Sequence, residues 1–114
     1  MSHNPHYKQI WQTVCAIPAG KVASYGQIAD LAGLPGRARL VGKSLGYVPS
    51  DMNVPWYRVL RSSGQLAFPK GSEQAMKQTG LLQDENVAVL SNRVKLVSFQ
   101  WQPTLEEMLW KLQQ

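Results

Sequence analysis

Between residues 24 and 46 the sequence is punctuated so closely that only short helices fit. Ser24-Tyr25-Gly26-Gln27 is a capping box, with Ser at the N-cap and Gln three residues on. The helix it opens should run to Ala32, burying Ile28 and Leu31, and Gly33 should stop it. Leu34-Pro35-Gly36 then makes a tight turn, and a third helix follows from about Arg37 to Gly46. Helices this short are marginal alone in water and must bury a face against neighbours. Two of them joined by a turn containing Gly and Pro predict a helix-turn-helix within a mainly helical domain.

The flanking segments extend that prediction. Asn4 as N-cap with Pro5 at the first helical position opens a helix whose Tyr7, Ile10, Trp11 and Val14 form an inward stripe. Cys15 continues the stripe, as a core residue rather than a nucleophile, and Pro18 with Gly20 ends it. Residues 47–71 read as irregular, and a loop of that length in a small domain is usually functional. Ser72 caps a helix through about Asp84, and Val87–Leu90 with Val94–Val97, split by Ser91-Asn92-Arg93, predict a hairpin. Thr104 with Glu107 is a second capping box, for a final helix with Leu105, Met108, Leu109 and Leu112 inward. The expected fold is a mainly α, helix-turn-helix or winged-helix-like domain with a small β-hairpin wing. It is read as one domain over residues 1–114, since 114 residues cannot bury a second full core.

Charge narrows the partner. Residues 1–70 hold 8 of the 12 Lys and Arg and only two acids, Asp30 and Asp51, a net +6; residues 71–114 hold 4 against 5. Cations gathered in one stretch suit a polyanion, nucleic acid first, with a merely solubilising surface as the alternative. No apolar run is long enough for a membrane span, and Met1-Ser2-His3-Asn4-Pro5 does not resemble a signal peptide, so no membrane role is expected. One cysteine, with both histidines (His3 and His6) near the start, leaves no set for a structural zinc, a His-based triad or a catalytic metal centre, and no cofactor is expected. A single thiol also fits a reducing compartment.

The third helix is unusual. Arg39, Gly42, Lys43 and Gly46 recur at i, i+3, i+4 and i+7, beside an apolar edge of Ala38, Val41 and Leu45. Each interior glycine costs about 1 kcal/mol against alanine, so something should compensate. Close helix packing is one explanation, but it would bury Arg39 and Lys43 without partners. A bare face that lets a nucleic-acid groove approach fits better.

Pro55-Trp56-Tyr57-Arg58-Val59 resembles the Pro-Cys-His-Arg-Val motif of the O6-alkylguanine-DNA alkyltransferases, with Trp where the cysteine stands. That replacement marks the alkyltransferase-like proteins. Three further stretches carry the resemblance. Gly20-Lys21-Val22-Ala23-Ser24-Tyr25-Gly26-Gln27-Ile28-Ala29 is similar to the approach to the family's first DNA-contacting helix. Arg37-Ala38-Arg39-Leu40-Val41-Gly42 is similar to the helix carrying its finger arginine, and Ser62-Ser63-Gly64 follows the motif at the family's spacing.

Dealkylation needs a thiolate, and an indole N–H offers no nucleophilic lone pair. The family's activating His is Tyr57 here, so transfer chemistry is expected to be absent and recognition to remain. The resemblance implies that a damaged guanine is rotated out of the duplex. Arg39 would fill the vacated stack, and Tyr25 would crowd the adjacent phosphate. Trp56 would wall the pocket, and the carbonyls of Trp56 and Val59 would accept from the guanine amino group. Tyr57, Pro69, Lys70 and Gly71 complete the implied pocket, with Lys70 placing a cation beside the purine. Ser24, Arg37, Ala38, Gly42, Lys43 and Ser62 would contact the duplex. The chain departs from the family at Val48, where an Asn braces the active-site loop, at Tyr57, and at Lys70, where the lid carries Ser.

The resulting expectation is a non-enzymatic sensor, acting as a monomer, that binds double-stranded DNA containing O6-alkylguanine. The resemblance further implies hand-over to nucleotide excision repair proteins, in the bacterial cytoplasm or a eukaryotic nucleus. A winged-helix regulator of undamaged DNA and a residual transferase with an unexpected nucleophile are the alternatives.

Overall fold

A computed structural model describes residues 4–104 and residue 107. In it, helices α1 (Tyr7–Cys15), α2 (Tyr25–Leu31) and α3 (Ala38–Leu45) pack together. Their inward side chains, Tyr7, Ile10, Trp11, Val14, Ile28 and Val41, form one hydrophobic cluster. Two hydrogen bonds lock the arrangement: Trp11 Nε1 donates to the Ser44 carbonyl at 2.9 Å, and Gln9 Nε2 to the Ala32 carbonyl at 2.8 Å. The connection from α2 to α3 turns at Gly33 and Gly36, with φ of 80° and 79°, a region that side chains with a Cβ rarely enter.

Two expectations for α1 need correction. The helix begins at Tyr7, because Asn4 uses its side chain to accept from the His6 N–H at 2.9 Å and holds Pro5 and His6 in a turn. Cys15 is exposed, not core. It follows Val14 by 100° of helical arc at the last residue of α1, where the chain turns away and leaves that edge to solvent.

A second cluster (Val22, Leu60, Leu66, Ala75, Leu82, Val87 and Val94) underlies α4, Glu73–Asp84, and a hairpin. The stretch expected to be irregular holds a 3₁₀ turn over Trp56–Arg58 and strand β2, Val59–Leu60. Strand β2 pairs in parallel with β1, Ala23–Ser24, in the register Ala23↔Val59 and Ser24↔Leu60. This pairing joins the segment before α2 to the motif, and two-residue strands leave too little alternation to be read from sequence.

The hairpin is shorter than expected: β3 is Val89–Leu90 and β4 is Arg93–Val94, joined by Ser91 and Asn92 at φ 50° and 63°. Positive φ at both turn residues is the type I′ geometry that suits a two-residue hairpin. Val97 lies in a one-turn helix, α5 (Leu96–Phe99), instead of a strand. Gly64, with φ 88°, packs where a Cβ would collide with the Val94 carbonyl oxygen. The Thr104–Glu107 capping box is formed, Glu107 N–H donating to Thr104 Oγ1 at 3.1 Å. The inner face expected beyond it, at Leu105, Met108, Leu109 and Leu112, lies outside the described residues. The chain is thus mainly helical with a small wing, as its punctuation implies.

Candidate nucleic-acid interface

The β1–β2 pairing creates the site. It sets Ser24 beside Leu60, so Tyr25 and Arg61 leave the two strands at the same end. Ser24 Oγ accepts from the Gln27 N–H at 3.0 Å, which caps α2 and points its first residue, Tyr25, toward α3. A methyl group at Gly42 would stand 3.7 Å from Cε1 of Tyr25. The missing bulk at Gly42 therefore faces a tyrosine. Gly46 is the C-cap of α3, with φ −81°, and carries no interior penalty. Burial raises the Tyr25 phenol above its ordinary value of 10.0, with the charge of Arg61 acting the other way. Tyr25 is thus a neutral hydrogen-bond donor at physiological pH. Arg37, Arg39, Gly42 and Lys43 are all exposed and Ala38 is half-buried, so the close-packing explanation of this face fails.

Trp56 sits in the 3₁₀ turn, half-buried, with its backbone N–H donating to the Val54 carbonyl at 2.7 Å. Its ring meets Tyr57 edge-on at 5.9 Å and Phe68 edge-on at 6.3 Å. Phe68 carries no motif of its own, and its adjacency to Pro69 is the one sequence signal that points to it. Below the turn lies a compact ionic cluster. Glu85 accepts from Tyr57 Oη at 2.7 Å, from Arg58 Nε at 2.9 Å, from Arg58 Nη2 and from the Gly20 N–H at 3.2 Å. Arg58 also donates to the Ile17 carbonyl at 2.8 Å and lies 5.4 Å from the Tyr57 ring centre. Hydrogen bonding from Arg58, and then from Tyr57, holds the Glu85 carboxyl at about 2, against burial that would raise it. Burial raises the Tyr57 phenol, and its bond to Glu85 adds to that shift.

The cluster braces the motif loop. Val48, half-buried, packs against the first hydrophobic cluster, as Met52 does. Gln78 adds a second tie, its Nε2 donating to the carbonyls of Tyr57 at 3.0 Å and Val59 at 3.3 Å while its Oε1 is buried without a partner among the described residues. The Val59 N–H bonds the Trp56 carbonyl. Each carbonyl expected to face a guanine amino group thus already accepts a bond, and Val59 is fully buried.

Pro69, Lys70 and Gly71 lie in the turn leading into α4, Lys70 and Gly71 exposed, and the Asn92 side chain donates to the Phe68 carbonyl beside them at 2.8 Å. Lys70 and Gly71 line a shallow groove of about 410 Å³ with Met76, Gly80 and Asn92, and Trp56 is not among its walls. Ser62 is exposed in the tight turn after β2. Among the described residues no group of His, Cys, Asp and Glu could hold a metal ion, and no helix is long and apolar enough to cross a membrane.

Residues 5–87 match the family of 6-O-methylguanine DNA methyltransferase DNA-binding domains. The chain is 40% identical over 96 residues to a DNA base-flipping protein of Vibrio parahaemolyticus, covering 83% of this chain and 94% of that one. It is 32% identical over 108 residues to alkyltransferase-like protein 1 of Schizosaccharomyces pombe, covering 90% and 100%. The crystal structure of S. pombe Atl1 with damaged DNA containing O6-carboxymethylguanine superposes with a TM-score of 0.79 at 31% identity, over 90% of this chain and all of that one.

Proposed function

The chain belongs to the family of 6-O-methylguanine DNA methyltransferase DNA-binding domains, and from that membership we propose that it is a DNA damage sensor that makes and breaks no bonds. It binds double-stranded DNA carrying O6-alkylguanine, with α2 and α3 acting as the helix-turn-helix and the damaged base turned out toward Trp56. Arg39 enters the stack, and Tyr25 donates to the extruded nucleotide. Arg37, Lys43, Ser24 and Ser62 hold phosphates, and Ala38 and Gly42 let the groove approach. Pro69, Lys70 and Gly71 follow Phe68, whose ring lies against Trp56, and close the pocket with Trp56, Tyr57 and Val59.

One observation carries the reading: the motif position presents an indole, and the adjoining Tyr57 hydroxyl is committed to Glu85. At the motif itself, the position of the thiol is an indole and that of the base is a phenol already bonded to a carboxylate. Extrusion costs a few kcal/mol, and stacking at about 1–3 kcal/mol per base together with phosphate contacts can offset it. The sensor acts as a monomer where DNA is kept, in the bacterial cytoplasm or a nucleus, and passes the marked lesion to nucleotide excision repair.

Titration of matched duplexes with and without one O6-methylguanine tests this; tighter binding to the modified duplex is expected, and equal affinity refutes it. A second reading, alkyl transfer to Cys15, draws on the exposure of that thiol. Intact-mass analysis after incubation with methylated DNA separates the two. An unchanged mass supports the sensor, and a methyl-sized gain supports transfer.

A further inference from the structure

Arg61 belongs to none of the roles above, yet the fold brings it to the edge of the interface. It follows Leu60, whose partner in the parallel ladder is Ser24, so Arg61 and Tyr25 emerge side by side. Its backbone is held at both ends of a turn: Arg61 N–H donates to the Gln65 carbonyl at 2.9 Å, and Gly64 N–H donates to the Arg61 carbonyl at 2.8 Å. Gly64 is in turn buried against the Val94 carbonyl, so the stem of Arg61 is set by the wing. The side chain is exposed and forms no ion pair or hydrogen bond among the described residues. Its charge nevertheless reaches the Tyr25 hydroxyl.

Tyr25 therefore turns its ring toward α3 at Gly42, between Arg39 and Lys43, and borders Arg61 through the strand pairing. The exposed cations of α3 and the exposed cation that follows β2 stand on different elements with Tyr25 between them. We propose that Arg61, with the Ser62 hydroxyl in the same turn and the Tyr25 phenol beside it, forms a second phosphodiester-binding site, on the flank of the extruded nucleotide opposite the one held by α3. A guanidinium grips a phosphate by two parallel N–H bonds, which fixes orientation as well as adding charge. Two grips, one on each side of an extruded nucleotide, hold its backbone in the bulged form. The site rests on the damage-sensor reading for its placement next to the lesion, while its affinity for phosphate does not.

The experiment measures binding of Arg61→Ala, Arg61→Lys, Lys43→Ala and the double Ala variant to lesion-bearing and unmodified duplexes across a salt series. Loss of one phosphate contact lowers the log–log salt slope by about 0.9, or about eightfold in affinity at 0.1 M salt relative to 1 M. Arg61→Ala should show that loss, Arg61→Lys should recover most of it, and the double variant should lose about twice as much. An unchanged slope for Arg61→Ala overturns the site. Neutral methylphosphonate linkages, scanned one at a time through the lesion-bearing duplex, then locate the contact. One linkage should weaken the wild type and leave Arg61→Ala unaffected, and it should differ from the linkage silent to Lys43→Ala. A shared linkage, or none, overturns the two-flank arrangement. Equal wild-type affinity for the two duplexes would sink the damage-sensor reading instead, leaving the salt slope to judge Arg61 alone.

Discussion

Replacing Glu85 by Gln measures how far the Pro55–Val59 motif loop rests on the cluster beneath it. In the folded chain this carboxyl titrates at about 2 instead of 4.5, chiefly because the Arg58 guanidinium donates to it, with Tyr57 and the Gly20 N–H adding to the effect. Its side chain is 14% exposed but lies near the surface, so solvent screens part of that interaction. At about 1.4 kcal/mol per pKa unit, ionised Glu85 contributes up to about 3 kcal/mol to stability. The folded value lies below the unfolded one. The contribution is therefore complete above pH 4.5 and is lost as the pH falls toward 2. Urea unfolding followed by tryptophan fluorescence should show the Glu85→Gln variant less stable than wild type by up to about 3 kcal/mol at pH 7. The gap should shrink to less than about 1 kcal/mol at about pH 2.5, where most of the wild-type carboxyl advantage has gone. Subtracting the variant cancels the other carboxyl groups. A gap that is the same at both pH values, or absent at pH 7, would refute the assignment of this energy to the Arg58–Glu85 charge pair.

With Arg39 entering the stack as proposed, Arg39→Ala should weaken binding to a lesion-bearing duplex by about 1–3 kcal/mol more than it weakens binding to unmodified DNA, since stacking would be lost as well as charge; Lys43→Ala should weaken both equally, and titrations of the two duplexes check this. Gly64→Ala should cost at least about 2 kcal/mol in urea unfolding, because the backbone there has φ 88° and a Cβ meets the Val94 carbonyl. Gln78→Leu should cost about 1–3 kcal/mol through the unmet Tyr57 and Val59 carbonyls, less what is recovered by removing the partnerless Oε1. Thermal melts of that variant, compared with its lesion affinity, show whether the loop carbonyls also lose their aim.

Much of the helical frame is legible in the order of residues alone. Ser24 and Ser72 cap the helices that follow them, because an N-cap is a bond between a side chain and backbone three residues away. The stripe Tyr7, Ile10, Trp11 and Val14 is buried as its period requires, and Arg39 and Lys43 stand in solvent. Cys15 departs from its expected burial because a stripe specifies a direction on a helix but not where the covering neighbours stop. The wing ends earlier than its pattern suggests because Val94 and Val97 match a strand as well as they match a turn of helix.

Local chemistry, then, determines the capped helices, the absence of a thiol in the Pro55–Val59 motif and the bare cationic face of α3, since each depends on residues within a few positions of one another. The parallel pairing of Ala23–Ser24 with Val59–Leu60 is decided only by the folded chain, because it joins segments more than about thirty residues apart through backbone atoms that every residue shares. From that pairing come Arg61 beside Tyr25, Glu85 beneath Tyr57 and Arg58, and Phe68 against Trp56. These contacts turn separate matching fragments into one surface.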